Sequence, residues 1–308
     1  MRAVARNSQR GVAVVMAMGV VALAAIAAAA MLASQSTWSR HAELSAEHAQ
    51  AQELVHVGVD WARALLSDDR RLSAVDHLGE PWALRLPAVP VDNGELIGQI
   101  DDQQGAFNLN NLVRNGTLNA LQFAQFQRLL QILGLPDSLA GALVDWLDAD
   151  SELHAQGGAE DGYYQAQQPP GLAANRPLTD IAELAQVRGF GDGVRAGLRP
   201  FVTALPRITA VNVNTASPEV LAALVEGLGL DGARDLVVQR ERSYFRNVAD
   251  FSSKLPPGLS VPAENVSVSS DYFLASARVT IGDAQARGSA LLAREPVGWP
   301  AVVWRKFP

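Results

Sequence analysis

Cysteine is missing from the whole sequence of 308 residues. Its absence excludes a disulfide framework, catalysis by a thiol and a zinc site with cysteine ligands. Whatever core the chain forms must therefore be stabilised by hydrophobic packing, or by a metal ion held through other side chains. A location outside the cytoplasm stays compatible with this composition, because exported proteins do not all contain disulfides.

Positive charge is scarce as well. The chain has 25 lysine and arginine residues against 32 aspartate and glutamate residues, so its net charge is −7. An acidic chain is a poor general binder of nucleic acid, because contacts to phosphate need cations. The sequence also lacks the nucleophile elbow of hydrolases, the H-E-x-x-H motif of zinc proteases and the P-loop. The histidines are scattered along the chain, and the protein is predicted not to be an enzyme.

Charged residues are absent from the segment Val12–Thr37, which also contains no proline and a single glycine, Gly19. An uncharged apolar stretch of this length can cross a bilayer as a helix, for which about 20 residues are enough. The arginines before it, Arg2, Arg6 and Arg10, are not accompanied by any acid and favour a cytoplasmic N-terminus.

The helical pattern continues beyond this apolar segment. No proline occurs before Pro81, and apolar residues alternate with charged ones at helical spacing as far as Leu66. A helix from Val12 to about Leu66 would be roughly 80 Å long at about 1.5 Å per residue. This length exceeds the needs of any membrane, so the sequence predicts an anchor whose outer half packs against other proteins.

The apolar segment has three interpretations that its sequence leaves open. It can be a removable secretory signal, for which Ala28-Ala29-Ala30 resembles a cleavage site, although the apolar core is longer than such signals require. It can be an ordinary single-pass anchor. The pair Arg10-Gly11 directly before the apolar run resembles a prepilin leader, which is cut after the glycine and leaves the helix on the mature protein.

Lysine and arginine are missing from residues 129–175, although this window carries seven acids. They are Asp137, Asp145, Asp148, Asp150, Glu152, Glu160 and Asp161. Carboxylates held close together repel unless a cation neutralises them, and calcium accepts about 6–8 oxygen ligands. A calcium site is one interpretation; a solvated acidic loop and a paired-carboxylate hydrolase site are the others. The segment is not an EF-hand, because Leu153 occupies the position of the required glycine.

The stretch Gly227–Gly232 matches the G-x-G-x-x-G pattern of dinucleotide-binding proteins. That fingerprint needs a preceding strand, whereas Ser217 and Pro218 begin a helical pattern here. With a second helix predicted from Ala233 to Arg240, the segment is similar to the helix-hairpin-helix units of DNA-binding competence proteins. It is either a structural hairpin or a DNA contact, and Asp231 favours the former because a carboxylate would repel the phosphate backbone.

Residues that favour β-structure concentrate in three segments, 94–101, 272–281 and 289–293, which are predicted to be strands. Between the first and the last of them the pattern is largely helical, including residues 118–133 and 139–147. The predicted fold is therefore α+β: a long N-terminal helix packed on a small antiparallel sheet, with a large, mainly helical insertion.

Four parts of the sequence together resemble the minor pseudopilin K of bacterial type II secretion systems. They are Arg10-Gly11 with the apolar helix, residues 98–105 with 107–110, residues 145–148 with 158–164, and residues 211–216. The resemblance runs nearly end to end. It implies a pilin-like version of the predicted α+β fold.

The resemblance implies that a peptidase cuts between Gly11 and Val12. Met16 then becomes the fifth residue of the mature chain, where most pilin-like subunits carry a glutamate that pairs with the terminal amine of a neighbour. The K subunit also lacks this glutamate. A subunit at the pseudopilus tip has no neighbour above it, so a buried carboxylate at this position would be left unpaired, which is costly.

The resemblance further implies that the helical region binds calcium. The ligands it indicates are Asp145, Asp148, Asp150, Glu160 and Asp161, with Glu152 as a weaker candidate.

The function implied is that of a minor pseudopilin that caps the pseudopilus tip and helps to initiate its assembly, for protein export across the outer membrane. The expected partners are other minor pseudopilins in a heterotrimeric tip complex, the major pseudopilin, the prepilin peptidase, exported proteins and the outer-membrane secretin, but no nucleic acid. The expected location is the inner membrane, with one span and a periplasmic C-terminal domain. The alternative is a membrane-tethered helix-hairpin-helix DNA-binding protein of competence type.

The expected organisation follows the same order along the chain. A leader (1–11) precedes a transmembrane and filament-core helix (12–33) and a pilin-like helix with the first strands (34–104). A helical insertion with the acidic site (105–205) and a hairpin-containing segment with the closing strands (206–308) complete it.

Overall fold

The computed structural model describes residues 8–85, 87–295 and 298–307, with side chains from residue 11 onward. Arg2 and Arg6 of the predicted leader lie outside the described residues. Helices in these ranges are α1 (Ser8–Leu72), α2 (Ala120–Ile132), α3 (Ser138–Leu147), α4 (Asp161–Gln165), α5 (Asp192–Leu198), α6 (Pro218–Leu224), α7 (Gly229–Arg242) and α8 (Val248–Ser253). Turns of 3₁₀ helix occur at Pro81–Ala83, Leu109–Leu112, Ile181–Gln186 and Ala263–Asn265.

The strands form one main sheet and three short pairs. They are β1 (Val89–Val91), β2 (Gly94–Asp102), β3 (Phe107–Asn108), β4 (Val113–Arg114), β5 (Thr117–Leu118), β6 (Val202–Thr203), β7 (Val211–Asn212), β8 (Val266–Ser267), β9 (Tyr272–Ile281), β10 (Ala284–Ala293) and β11 (Ala301–Lys306). The main sheet is antiparallel with the order β1-β2-β9-β10-β11. Because β2 and β9 are neighbours in the sheet, the chain between them is inserted at one end of it.

Helix α1 has 65 residues and is about 97 Å long at about 1.5 Å per residue. Every side chain from residue 11 to 46 is exposed. Towards its C-terminal end one face becomes buried at intervals of three or four residues, as expected for a helix packed along one stripe. The buried residues are Ala51, Val55, Val59, Ala62 and Leu66, which pack on β9 and β10. The predicted long helix on a small antiparallel sheet is confirmed.

The insertion has its own apolar core, which confirms the predicted mainly helical region. Phe126, Leu129 and Leu143 are among the fully buried residues that join α2 to α3. A second cluster, which includes Leu221 and Phe251, lies under α6, α7 and α8. The acidic segment between α3 and α4 is therefore held by a packed scaffold on both sides.

Several predicted boundaries were wrong. Helix α1 extends from Ser8 to Leu72, beyond both predicted ends, and α7 begins at Gly229 rather than at Ala233. The sequence pattern does not predict β1, β11 or the first half of β10. The residues from Ala284 to Gly288 alternate between alanine or glycine and polar residues, which favour strands only weakly, but they pair in register with β9. Tertiary pairing therefore overrides local propensity here.

A buried ion pair joins the end of α1 to the end of β10. The Arg294 guanidinium donates to Asp69 Oδ2 at 2.9 Å and to Asp76 Oδ1 at 2.6 Å. All three residues are at least nine-tenths buried. The same guanidinium lies 4.5 Å from the centroid of the Phe273 ring. The arginine thus connects the end of β10 to the end of α1 and the segment that follows it, more than 200 residues earlier in the sequence.

A second carboxylate, that of the half-buried Asp102, connects the sheet to the insertion. Its Oδ2 accepts hydrogen bonds from Asn212 Nδ2 at 3.0 Å, Thr215 Oγ1 at 2.5 Å and Ser270 Oγ at 2.7 Å. Burial raises the pKa of Asp102 to about 6, although the hydrogen bonds from Thr215 and Ser270 oppose the shift. The insertion therefore leaves and re-enters the sheet at one hydrogen-bonded junction.

Helix α1 lies close to β9 at Gly58, where a Cβ atom would lie 3.1 Å from Ala277 Cβ. We predict that Gly58→Leu destabilises the fold by about 1–3 kcal/mol, because a large side chain must push the helix off β9. The measurement is chemical denaturation of the full chain in detergent. Gly197→Leu is the matched control, since this helical glycine has no atom within 4 Å of the added Cβ. Equal destabilisation by both substitutions would contradict the close approach.

Candidate metal centre in the helical region

The candidate site begins where α3 ends. Nearly the whole helix is buried, because Leu139, Leu143 and Leu147 all face the core of the insertion. Asp148 caps the helix in an extended conformation, with ψ of 172°, so the chain leaves the core at this residue. The acids that follow are consequently placed at the surface of a rigid helix end.

Three carboxylates converge beyond this helix end. Asp148, Asp150 and Glu160 each offer a carboxylate oxygen, and these oxygens lie within 4.8 Å of one another. Asp148 and Glu160 are buried, whereas Asp150 is exposed. The trio has the size and the oxygen-only donor set that a hard divalent cation prefers.

The two buried carboxylates have oxygens without a protein partner. Asp148 Oδ1 and Glu160 Oε1 are both inaccessible to solvent and form no hydrogen bond with the described residues. Two unit charges within 4.8 Å repel by about 3 kcal/mol at an effective dielectric constant of about 20. Buried acceptors are normally satisfied, so this arrangement fits a bound cation.

Burial and this repulsion together raise the proton affinities of the carboxylates. Burial, followed by the neighbouring carboxylates of Asp150 and Asp145, raises the pKa of Asp148 to about 6. Burial likewise raises the pKa of Glu160 to about 7, with Asp145 and Asp148 as the next largest contributions. Without a cation the site therefore gains protons readily near neutral pH. A bound cation would favour the ionised forms instead.

The other predicted ligands have different surroundings. Asp145 is buried beside the trio, and both of its oxygens accept the backbone N–H of His154 at 3.2 Å. Asp161 accepts the backbone N–H of Ala173 at 2.9 Å from the first turn of α4. The Glu152 side chain is exposed, and its backbone N–H donates to Asp150. The structure thus brings three of the six predicted residues together and uses two others to fix the surrounding loops.

A tight loop closes over the carboxylates and requires its glycines. Gly157 has φ of 80°, and a Cβ atom there would lie 2.6 Å from the Ser138 carbonyl oxygen. A Cβ atom at Gly158 would overlap the Asp145 carboxylate. These close approaches to Ser138 and Asp145 place the turn against α3 and return Glu160 to the carboxylates at the end of that helix.

Arg188 is a residue that the sequence pattern did not single out for this site. Its Nη1 donates to the Gly158 carbonyl oxygen at 3.0 Å, and its guanidinium lies 4.9 Å from the Tyr163 ring centroid. It forms no ion pair with the carboxylates among the described residues. Arg188 therefore holds the loop backbone and leaves the acids unneutralised.

A second acidic trio, Asp69, Asp76 and Glu80, also has carboxylate oxygens within 4.8 Å. It differs because Arg294 neutralises the two aspartates. Glu80 Oε2 accepts the Trp82 indole N–H at 2.9 Å and the His77 backbone N–H at 2.9 Å. This trio is internally satisfied and does not resemble a metal site.

The predicted processing residues lie near the start of α1. Gly11, Val12 and Met16 are all helical, and the Met16 side chain is exposed. Helix α1 from Gly11 to its end is long and apolar enough to cross a membrane, with a mean hydropathy of 2.6 over its most apolar window. None of the side chains of that window is buried.

The predicted hairpin is formed by α6 and α7, with Gly227 in the left-handed region at φ of 80°. Two of its arginines form contacts within the protein. Arg240 is buried and donates to the carbonyl oxygens of Val213 and Ala216. Arg234 pairs with Asp231 at 3.0 Å. These contacts favour a structural role for the hairpin.

Comparisons with known proteins agree with these observations. Two family models, both described as type II secretion system protein K, match residues 105–207 and 211–269. The type II secretion system protein K of Pseudomonas aeruginosa is 36% identical, over 90% of this chain and 86% of its own length. The Klebsiella pneumoniae protein of the same description is 33% identical, over 94% of both chains.

A solved structure has the same fold. The crystal structure of the GspK-GspI-GspJ complex from enterotoxigenic Escherichia coli contains a chain that superimposes with a TM-score of 0.72 and 24% identity. The match covers 87% of this chain and 99% of that one. Together with the family models and the relatives in the two other bacteria, it leads to one conclusion: the chain belongs to the type II secretion system protein K family.

Proposed function

We propose that this chain, a minor pseudopilin of the type II secretion system, caps the tip of the pseudopilus and helps to start its assembly for protein export across the outer membrane. The observation that carries the proposal is the combination of a long exposed N-terminal helix with a bulky insertion at the far end of the sheet. The insertion would cover the end of a filament whose shaft consists of packed helices. The protein would span the inner membrane once, with its C-terminal domain in the periplasm.

Position five supports a tip location. If Val12 is the mature N-terminus, Met16 occupies the position at which a filament subunit needs a carboxylate to pair with a neighbouring amine. A tip subunit has no such neighbour, and an unpaired carboxylate in the apolar filament core would be costly. Methionine avoids this cost. The prepilin peptidase would be the partner for processing of the N-terminus. The major pseudopilin would be the partner for growth of the filament shaft.

The processing step predicts the mature N-terminus. Intact-mass measurement and N-terminal sequencing of the protein from its native membrane should give a chain that begins at Val12 with a methylated amine. A start near Met31 would indicate a discarded secretory signal, and a start at Met1 would indicate an unprocessed anchor. Either result would contradict the proposal.

A second apolar stripe of α1 supports assembly with related subunits. Val57 and Trp61 are exposed, at 57% and 47% of their surface respectively, and lie one helical turn apart on the side of α1 away from the buried stripe. Helices that expose such residues in water usually bury them against a partner. The E. coli relative was crystallised together with GspI and GspJ. We propose that this chain likewise assembles with other minor pseudopilins.

Substituting this stripe tests the assembly. We predict that Val57→Ser combined with Trp61→Ser lowers recovery of co-expressed minor pseudopilins of the same system by about fivefold or more, because large apolar side chains dominate interface energies. The melting temperature of the isolated chain should stay unchanged, since neither side chain is buried. Leu153→Ser with Leu172→Ser, two exposed residues of the insertion, is the matched control. Equal losses in both variants would overturn the assignment of the stripe.

We also propose that the three converging carboxylates hold calcium. Asp148, Asp150 and Glu160 would supply oxygen ligands, and Asp145 lies close enough to contribute charge. A calcium ion supplies two positive charges to the cluster and would fasten the loop after α3 to the start of α4. Its role is structural: it would stabilise the insertion that forms the cap.

Thermal melting of the full chain in detergent tests this metal. At neutral pH, millimolar calcium should raise the melting temperature above that in chelator, because a ligand bound only by the folded state stabilises it. Asp148→Asn with Glu160→Gln should abolish the shift and should not lower the melting temperature in chelator, because it removes the repulsion. Glu226→Gln with Asp231→Asn changes the net charge equally on exposed residues and should leave the shift intact. A wild-type protein that does not respond to calcium would contradict the proposal.

The pKa shifts give the direction of its pH dependence. Asp148 and Glu160 have folded pKa values of about 6 and about 7, above their ordinary values of 3.8 and 4.5. The unfolded chain therefore binds fewer protons, and stability in chelator falls as pH rises from about 4 to about 7. Calcium removes this cost, so the calcium-induced shift should grow between about pH 5 and about pH 7.5. Burial also raises the pKa of Asp69 to about 7 and that of Asp102 to about 6, and the difference between calcium and chelator cancels their contribution to the pH dependence.

The DNA-binding alternative has no support from the comparisons with known proteins. In addition, Arg240 and Arg234 of the hairpin form their contacts within the protein, as described above. Exported proteins and the outer-membrane secretin remain proposed contacts of the insertion, because a cap at the end of the filament would meet them first.

A further inference from the structure

The outer face of the main sheet, opposite α1, carries an unusual row of side chains. The strand registers place Ile97 opposite Arg278 and Arg278 opposite Arg287, so the three residues form one row across β2, β9 and β10. Lys306 of β11 lies in the next row, opposite Ser289. At the end of the sheet nearest the insertion, in contrast, the outer face is covered by apolar contacts with the insertion.

The two arginines of this row repel each other. Directly opposite residues in an antiparallel pair have Cβ atoms about 4.5–5.5 Å apart, and like charges in this position destabilise the sheet. Both arginines are exposed, and neither forms an ion pair among the described residues. The nearest acid by register, Glu95, lies opposite Thr280 in the adjacent row and does not pair with them. In a chain with a net charge of −7, this local excess of positive charge is not explained by composition.

The arginines line a groove between the sheet and the insertion, with a volume of about 890 Å³. Arg199, at the end of α5, lines it together with Arg278 and Arg287. Its surface is not only charged, because Ile97 lines it and is 42% exposed. Lys306 also lines the groove, although it pairs with Asp180 of the insertion.

The groove lies too far from the membrane to bind lipid headgroups. Gly288, next to Arg287, approaches Val55 of α1. Val55 follows Thr37, the last residue of the uncharged run, by eighteen positions, or about 27 Å along a helix. Electrostatic attraction to a surface decays over about 8 Å at physiological ionic strength. The anion that this groove accepts must therefore come from a molecule in the aqueous phase.

We propose that this groove binds an acidic segment of a partner protein. The segment would lie extended across the outer face, with two carboxylates placed on Arg278 and Arg287 and an apolar residue on Ile97. Guanidinium groups bind carboxylates through paired N–H donors, and each such contact relieves the repulsion within the row. The surface is separate from the exposed stripe of α1 and from the three converging carboxylates, so it does not depend on either proposal above.

Binding of a defined acidic peptide to the full chain in neutral detergent tests the groove. The probe is a fluorescent peptide of about eight residues with two glutamates and one valine at successive alternate positions among serines, so that in extended form these three side chains share one face. We expect salt-sensitive binding that Arg278→Gln with Arg287→Gln weakens by about tenfold or more, because two charge-assisted contacts are removed. Arg287→Gln alone should have a smaller effect. The melting temperature should not fall in either variant, since these changes remove a repulsion.

The matched control is Arg234→Gln with Arg242→Gln, which changes the net charge equally on two exposed residues of α7. It should leave the affinity for the peptide within about twofold, as expected for charges remote from the contact. The proposal would be overturned by equal losses in the two double variants, or by equal binding of a glutamine–valine peptide. Binding of anionic nanodiscs or duplex DNA in place of the peptide would overturn it as well.

Discussion

The buried guanidinium of Arg294 is the interaction on which the rest of the structure depends. It neutralises Asp69 at the end of α1 and Asp76 in the segment that follows, from a position at the end of β10. An isolated charge in this environment would be very unfavourable, so the three segments are stable only together. The neighbouring carboxylate of Asp102 then connects the sheet to the insertion through Asn212, Thr215 and Ser270. The long helix, the sheet and the insertion therefore form one unit.

The chain contains two acidic trios of similar size with opposite properties. In the first, Arg294 and backbone or indole N–H groups satisfy the carboxylates. In the second, Asp148 and Glu160 are buried with unpartnered oxygens, and the adjacent Arg188 contacts a carbonyl instead. The first trio is thus part of a structural ion pair, whereas the second needs a cation from solution. Burial raises pKa values in both trios, to about 7 at Asp69 and at Glu160, so the unpartnered oxygens and not the pKa shifts distinguish the second trio.

Much of the fold could be predicted because it depends on sequence patterns that extend over many residues. The uncharged run and the helical spacing after it predict α1, although not its ends, and β9 was predicted with its full extent. The first half of β10 was not, because Ala284, Ala286 and Gly288 become strand residues only by pairing with β9. For the site, the acidic window was evident. The roles of Asp145, which binds the His154 backbone, and of Arg188 were not, since both depend on how the loop folds back.

The sequence by itself determined a membrane-length apolar helix, the absence of thiol chemistry, an acidic window without cations, and membership of a recognisable family. These are properties of composition and of local order, and they need no knowledge of distant contacts. Only the tertiary structure decided which acids meet and which arginines are opposed. Asp148 and Glu160 converge because a helix end and a returning loop bring them within reach, and Arg278 faces Arg287 because of strand register. Both are set by packing between segments, which residue order along the chain does not specify.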